Sequence, residues 1–126
     1  MRNSSLAALV AILTLSSTHA RAQDAETIAD VHCVIVGAVL AGKTDTTQRA
    51  AGSLVAMYYI GRLDGRVPKL DLEELMIKES KAMTSSDFAA EAKRCGATLT
   101  ARGQELTKIG KDMVEQAQKT SGEQPK

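Results

Sequence analysis

The chain has no tryptophan, one phenylalanine and two tyrosines, so aromatic residues make up 2% of its 126 positions. Phe88, Tyr58 and Tyr59 are the whole aromatic set, and a core has to be assembled from Leu, Ile, Val, Met and Ala. Such side chains bury less area apiece than aromatic ones, which makes a covalent supplement valuable in a small domain. There are two cysteines, Cys33 and Cys95, and no Cys-x-x-Cys pair, which argues against a dithiol redox enzyme. The hydrolase signatures G-x-S-x-G and H-E-x-x-H are also missing. Neither sign of charge dominates: 16 Lys and Arg face 15 Asp and Glu, with no basic block suited to nucleic acid or an anionic membrane surface. These absences assign no catalytic, cofactor-binding or metal-binding residue. They point to a protein that acts by binding other proteins.

What is present begins with an export signal over residues 1–22. Arg2 supplies the positive start, residues 6–15 an apolar stretch of secretory length, and Ala20-Arg21-Ala22 a small-x-small site for cleavage after Ala22. The apolar stretch is too short to span a bilayer, and no later stretch qualifies. Cleavage would remove Arg2 and Arg21, taking the formal charge from +1 to −1, and would leave His32 as the sole histidine. One histidine with oxidised thiols is a poor metal set. The expected location is the periplasm, where two thiols are most simply read as one disulfide. Cys33, in Asp30-Val31-His32-Cys33, lies well past the cleavage site and outside any lipid-attachment setting.

Residues 23–119 read as a small all-α, four-helix domain, followed by a polar tail over residues 120–126 that is expected to be disordered. The first helix is expected from Asp24 to Ala41, with Ile28, Val31, Ile35, Val39 and Gly42 at helical spacing and Gly42 as its stop. Residues 31–36 are β-rich, so a strand is the competing reading there. The second helix is expected from Thr46 to Leu63, with Ala51, Leu54, Val55, Tyr58 and Tyr59 near one face and Asp64-Gly65 and Pro68 as breakers. Asp71-Leu72-Glu73-Glu74 resembles a capping box and starts a short third helix bearing Leu72, Leu75, Met76 and Met83. Thr84-Ser85-Ser86-Asp87 starts a fourth helix reaching Lys119, with the stripe Phe88, Ala92, Cys95, Leu99, Leu106, Ile109 and Met113. Beside it runs a strict seven-residue series: Ala82, Ala89, Gly96, Gly103, Gly110 and Ala117. Each glycine inside a helix costs about 1 kcal/mol relative to alanine. The series therefore marks either a seam where another helix comes close, internal or from a second subunit in a homodimer, or a set of breaks.

Cys33 and Cys95 fall on the apolar stripes of the first and last long helices, and a structural disulfide between them is the expected pairing. An intermolecular bridge, or a thiol activated by neighbouring His32, is the alternative. Gly37-Ala38-Val39-Leu40-Ala41-Gly42-Lys43-Thr44 fits the phosphate-loop pattern G-x-x-x-x-G-K-T. Its intervening residues are all apolar, no acidic strand end is available for magnesium, and exported proteins seldom meet ATP. The segment is better read as a helix ending at Gly42, with Lys43 near the negative end of its dipole. Tyr58, Tyr59, Arg62, Asp64 and Arg66 form the most distinctive segment. They serve either as a partner-binding surface, or as core cover and a helix end.

An exported small helical chain with one disulfide between distant helices resembles the periplasmic acid-stress chaperones of the Hde type. That resemblance implies a dimer that acid opens, exposing apolar surface for client proteins. Tyr59-Ile60-Gly61-Arg62-Leu63-Asp64 also resembles the tyrosine-glycine-aspartate stretch of periplasmic immunity proteins, which would imply inhibition of a secreted enzyme. Taken whole, the chain is similar to small exported helical proteins of Gram-negative bacteria, a similarity that brings no activity with it.

Overall fold

The computed structural model describes the backbone of residues 16–122 and the side chains of residues 25–120. Over that range the chain is all-α, with helices α1 (Ser16–Ala41), α2 (Thr46–Arg66), α3 (Leu72–Ala82) and α4 (Ser85–Gly122). The expected all-α, four-helix class is therefore the class found, and the β-rich residues 31–36 are helical. Most of the signal segment, residues 1–15, and the end of the tail, residues 123–126, lie outside the described residues. The outermost boundaries extend beyond expectation, as does the end of α2. The first helix begins at Ser16 rather than Asp24, and the last includes Thr120, Ser121 and Gly122, placed in the tail by the sequence.

α1 is the hub, packing on each of the other three helices. Val31, Cys33, Val34, Ile35 and Val36 are all buried, so its apolar surface wraps around the helix rather than following one stripe. A helix enclosed by neighbours is apolar all round. That is why a run of valines with strand-like propensity is helical here: tertiary burial outweighs a weak local preference.

The α1–α2 contact is backbone against backbone. A Cβ on Gly37 would lie 2.6 Å from the backbone nitrogen of Ala56, and one on Gly52 would lie 2.4 Å from that of Ala41. The buried face of α2 is Gly52, Val55, Tyr59 and Leu63, whereas Ala51 and Leu54 are exposed. The face expected from the sequence is thus turned from the true one, because a glycine does not register as an apolar core position. Asp64-Gly65 does not end α2 either. The helix runs on to Arg66, the Val67 N–H donates to the Leu63 carbonyl at 2.7 Å, and Pro68 then ends it by disfavouring helical backbone before it.

Side-chain caps set the other starts. Asp45 accepts from the Gln48 N–H at 2.8 Å, and Asp71 from the Glu74 N–H at 3.0 Å. Thr84 and Asp87 cap α4 reciprocally: the Asp87 N–H donates to Thr84 Oγ1 at 3.2 Å, and the Thr84 N–H donates to Asp87 Oδ2 at 2.9 Å. The Thr84 hydroxyl, and then its N–H, hold the Asp87 carboxyl below the ordinary 3.8. A folded value lowered in this way stabilises the fold above the ordinary value, and that contribution is lost as pH falls through the lowered one.

Cys33 and Cys95 form the expected disulfide, with a Cα–Cα distance of 5.6 Å, joining α1 to α4. Around it Phe88, Ala92 and Leu99 are half-buried, while every residue from 101 to 120 is exposed. α4 is continuous through Gly96, Gly103 and Gly110, which corrects the reading of breaks. Nothing lies within 4 Å of a Cβ built on any of the three, so among the described residues no helix closes on that seam. The close helix approach lies at Gly37 and Gly52 instead.

Gly37→Ala and Gly52→Ala are each expected to lower stability by about 1–3 kcal/mol in urea unfolding, because the new methyl groups force the two backbones apart. Gly61→Ala, where a Cβ meets nothing within 4 Å, is expected to leave stability unchanged or raise it by up to about 1 kcal/mol.

Candidate functional site

Three residues of the segment expected to hold a partner are engaged within the molecule, though only Tyr59 is buried. Tyr59 is fully buried, and its hydroxyl donates a long hydrogen bond to the Cys95 carbonyl at 3.5 Å. Arg62 Nε lies 3.1 Å from Asp30 Oδ2, and its guanidinium stacks over the Tyr59 ring at 5.4 Å from the centroid and over Tyr58 at 5.9 Å. Arg66 pairs with the same Asp30 carboxylate through Nη2, and with Glu26 Oε2 through Nη1 at 2.6 Å. Asp30 is 2% exposed, and a buried carboxylate of this kind needs partners of opposite charge. Two arginines one helical turn apart on α2 meet that need. Of the five residues nominated from the sequence, Tyr59 offers a partner no surface. Arg62 and Arg66 hold α1, leaving half-buried Tyr58 and exposed Asp64 to face outward.

A second polar cluster surrounds the disulfide. His32 Nε2 lies 3.2 Å from Glu79 Oε2 on α3, and Nδ1 lies 3.6 Å from Glu91 Oε1 on α4. Arg94 grips Glu91 at 2.6 Å, donates to the Ala29 carbonyl at 2.6 Å and reaches Cys33 Sγ at 3.0 Å. The cluster thus ties α1 to α3 and α4. Among the described residues, Cys33, Glu91 and Cys95 hold their potential ligand atoms within 4.8 Å of one another. The two sulfurs are bonded to each other and have no thiolate to give, so this trio is not a ligand set as it stands. His32 likewise activates no thiol. The phosphate-loop look-alike is also accounted for: Gly37 is a buried packing position inside α1, and α1 ends at Ala41, immediately before Gly42.

An outward-facing apolar stripe lies on α4 beyond the core. Leu106 is 68% exposed, Ile109 45%, Met113 65% and Val114 58%. Arg102 marks the edge of the docked region, where Glu105 and then the Tyr58 hydroxyl raise its guanidinium above its ordinary range. Beyond it the helix projects with its apolar residues on one side. Among the described residues, no helix is long and apolar enough to cross a membrane. No protein-family model, curated protein or solved structure matches this chain. The site therefore rests on its own geometry.

That geometry separates scaffold from surface, and mutation can test the separation. Replacing Arg62 and Arg66 together by alanine strands the buried Asp30 carboxylate and is expected to cost about 3–5 kcal/mol in urea unfolding. Asp64→Ala, on the exposed side, is expected to change stability by less than about 0.5 kcal/mol. Equal effects from the two variants would show that the Asp30 network does not hold α2 in place.

Proposed function

We propose that this is an exported, non-catalytic binding protein of the periplasm that protects client proteins under stress. The observation that carries this reading is the exposed apolar stripe Leu106, Ile109, Met113 and Val114 on a helix projecting from a disulfide-stapled core. Exposed contiguous apolar surface rimmed by polar residues is what protein contact requires, and methionine in it suits varied partners. Cleavage after Ala22 is compatible with this fold. It shortens α1 at its start and leaves the buried residues from Asp30 onward, with Glu26, in place.

Acid is the stress this fold is suited to sense. The polar contacts joining α1 to its neighbours depend on carboxylates: Glu26 and Asp30 pair with Arg62 and Arg66, and Glu79 and Glu91 lie against the two ring nitrogens of His32. Loss of carboxylate charge in acid breaks such pairs and, once Arg2 and Arg21 are removed by cleavage, leaves the other 14 Lys and Arg to repel one another. The disulfide meanwhile keeps the chain from opening fully. The alternative of an inhibitor or immunity module acting through residues 58–66 is supported less well, because three of its five residues already make contacts to other helices of this chain.

Suppression of client aggregation, measured by light scattering at about pH 3 and at pH 7, tests the reading. The oxidised protein is expected to protect an aggregation-prone client, more strongly in acid and with rising ANS fluorescence. Replacing Leu106, Ile109 and Met113 together by serine is expected to remove most of that protection while leaving the helical circular dichroism intact. No protection at either pH would refute the proposal.

A further inference from the structure

We propose that Cys33, Cys95 and Glu91 form a zinc site when the bond between the two sulfurs is open. The potential ligand atoms of these three residues already lie within 4.8 Å of one another. That span is close to two zinc–sulfur bonds of about 2.3 Å each. On one tetrahedral ion two thiolates sit about 3.8 Å apart. Side-chain rotation opens that gap with the Cα atoms at their 5.6 Å separation. The thiols exist in the chain before its disulfide is made. In the finished molecule a dithiol reductant regenerates them. The sulfur–sulfur bond breaks, each cysteine gains one electron and one proton, and the reductant leaves as its own disulfide. Zinc then displaces both thiol protons to solvent.

Charge selects the ion. Both sulfurs are fully buried, and charge is tolerated in such a place only when it is balanced. Two thiolates and the Glu91 carboxylate bring three negative charges. Arg94, 3.0 Å from Cys33 Sγ and 2.6 Å from Glu91 Oε2, offsets one of them. A dication cancels the remaining two, whereas a monovalent ion such as Cu(I) leaves one over. Thiolates in turn favour zinc over magnesium or calcium. Three protein ligands leave the fourth position of a tetrahedral zinc to water. Glu91 has the outer support that a metal-bound carboxylate needs, with Arg94 on Oε2 and His32 Nδ1 3.6 Å from Oε1. Contacts besides the disulfide also position the ligands. Arg94 donates from α4 to the Ala29 carbonyl on α1 at 2.6 Å, and the Tyr59 hydroxyl reaches the Cys95 carbonyl at 3.5 Å. The metal therefore joins α1 to α4 through the same two sulfurs as the disulfide. When a disulfide oxidant takes two electrons from the thiolates and two protons from solvent, the bond re-forms and zinc leaves. The site stands apart from the exposed stripe of α4 and from any client held there.

Cobalt(II), a coloured stand-in for zinc, tests the site on the whole chain reduced with a phosphine and kept free of oxygen. One ion per chain is expected, with thiolate charge-transfer absorption, the visible bands of a tetrahedral ion, and displacement by zinc. Glu91→Gln should weaken binding at least tenfold. Glu105→Gln, on the projecting half of α4, should leave it unchanged. Amide exchange on the reduced chain should show zinc restoring protection over residues 85–99. The oxidised chain should take up no cobalt at the same concentrations. A reduced chain that binds no cobalt, or an oxidised one that binds it equally, would overturn the proposal. So would binding indifferent to Glu91→Gln, the mark of two cysteines capturing metal on an unfolded chain.

Discussion

The Cys33–Cys95 bond is the constraint on which the arrangement of α4 depends. The docked part of that helix rests on a small apolar surface, of which only Cys95 is fully buried. Phe88, Ala92 and Leu99 are each left half-exposed. Bridging a sequence separation of 62 residues is worth about 4 kcal/mol in the chain-entropy model. That is comparable with the whole net stability of many small domains. Tyr59 from α2 and Arg94 from α4 both reach this region, one to the Cys95 carbonyl and the other to the Cys33 sulfur. The bond therefore lies at the meeting point of three helices, in a core that contains one fully buried aromatic ring.

Around this staple the molecule divides into two kinds of contact. α1 and α2 are held by direct backbone approach at Gly37 and Gly52 and by the buried Asp30 with its two arginines. α3 and α4 meet α1 through half-buried apolar residues and through His32, Glu79 and Glu91. The glycine crossing is close-packed. The second set is more open, and both lean on carboxylates. Acid should loosen the second set more than the glycine contact, because no titratable group enters that contact.

The helix count, the disulfide and the starts of α3 and α4 were legible in the sequence because each depends on local chemistry. Asp71 and Thr84 sit where a side-chain oxygen can reach the first free N–H groups, and two thiols in an oxidising setting have one simple pairing. The buried face of α2 was less legible, because at Gly52 the contact is made by the absence of a side chain. Asp30 was missed as a structural ion. The signal for it lay in Arg62 and Arg66, spaced to face one acidic partner. The same spacing had suggested a surface for an outside protein, and nothing local distinguishes the two uses. In α4 the stripe from Phe88 to Met113 reads as uniform, yet its first half is docked and its second half stands free. Periodicity reports that a face is apolar and does not report what covers it.

Amide hydrogen exchange, compared between the oxidised chain and a variant with both cysteines replaced by alanine, tests the central claim most directly. Without the bond, protection over the docked half of α4, residues 85–99, should fall sharply, while protection at the Gly37–Gly52 crossing of α1 and α2 persists. Unchanged protection in that half of α4 would contradict the account, since the helix would then be held by packing alone.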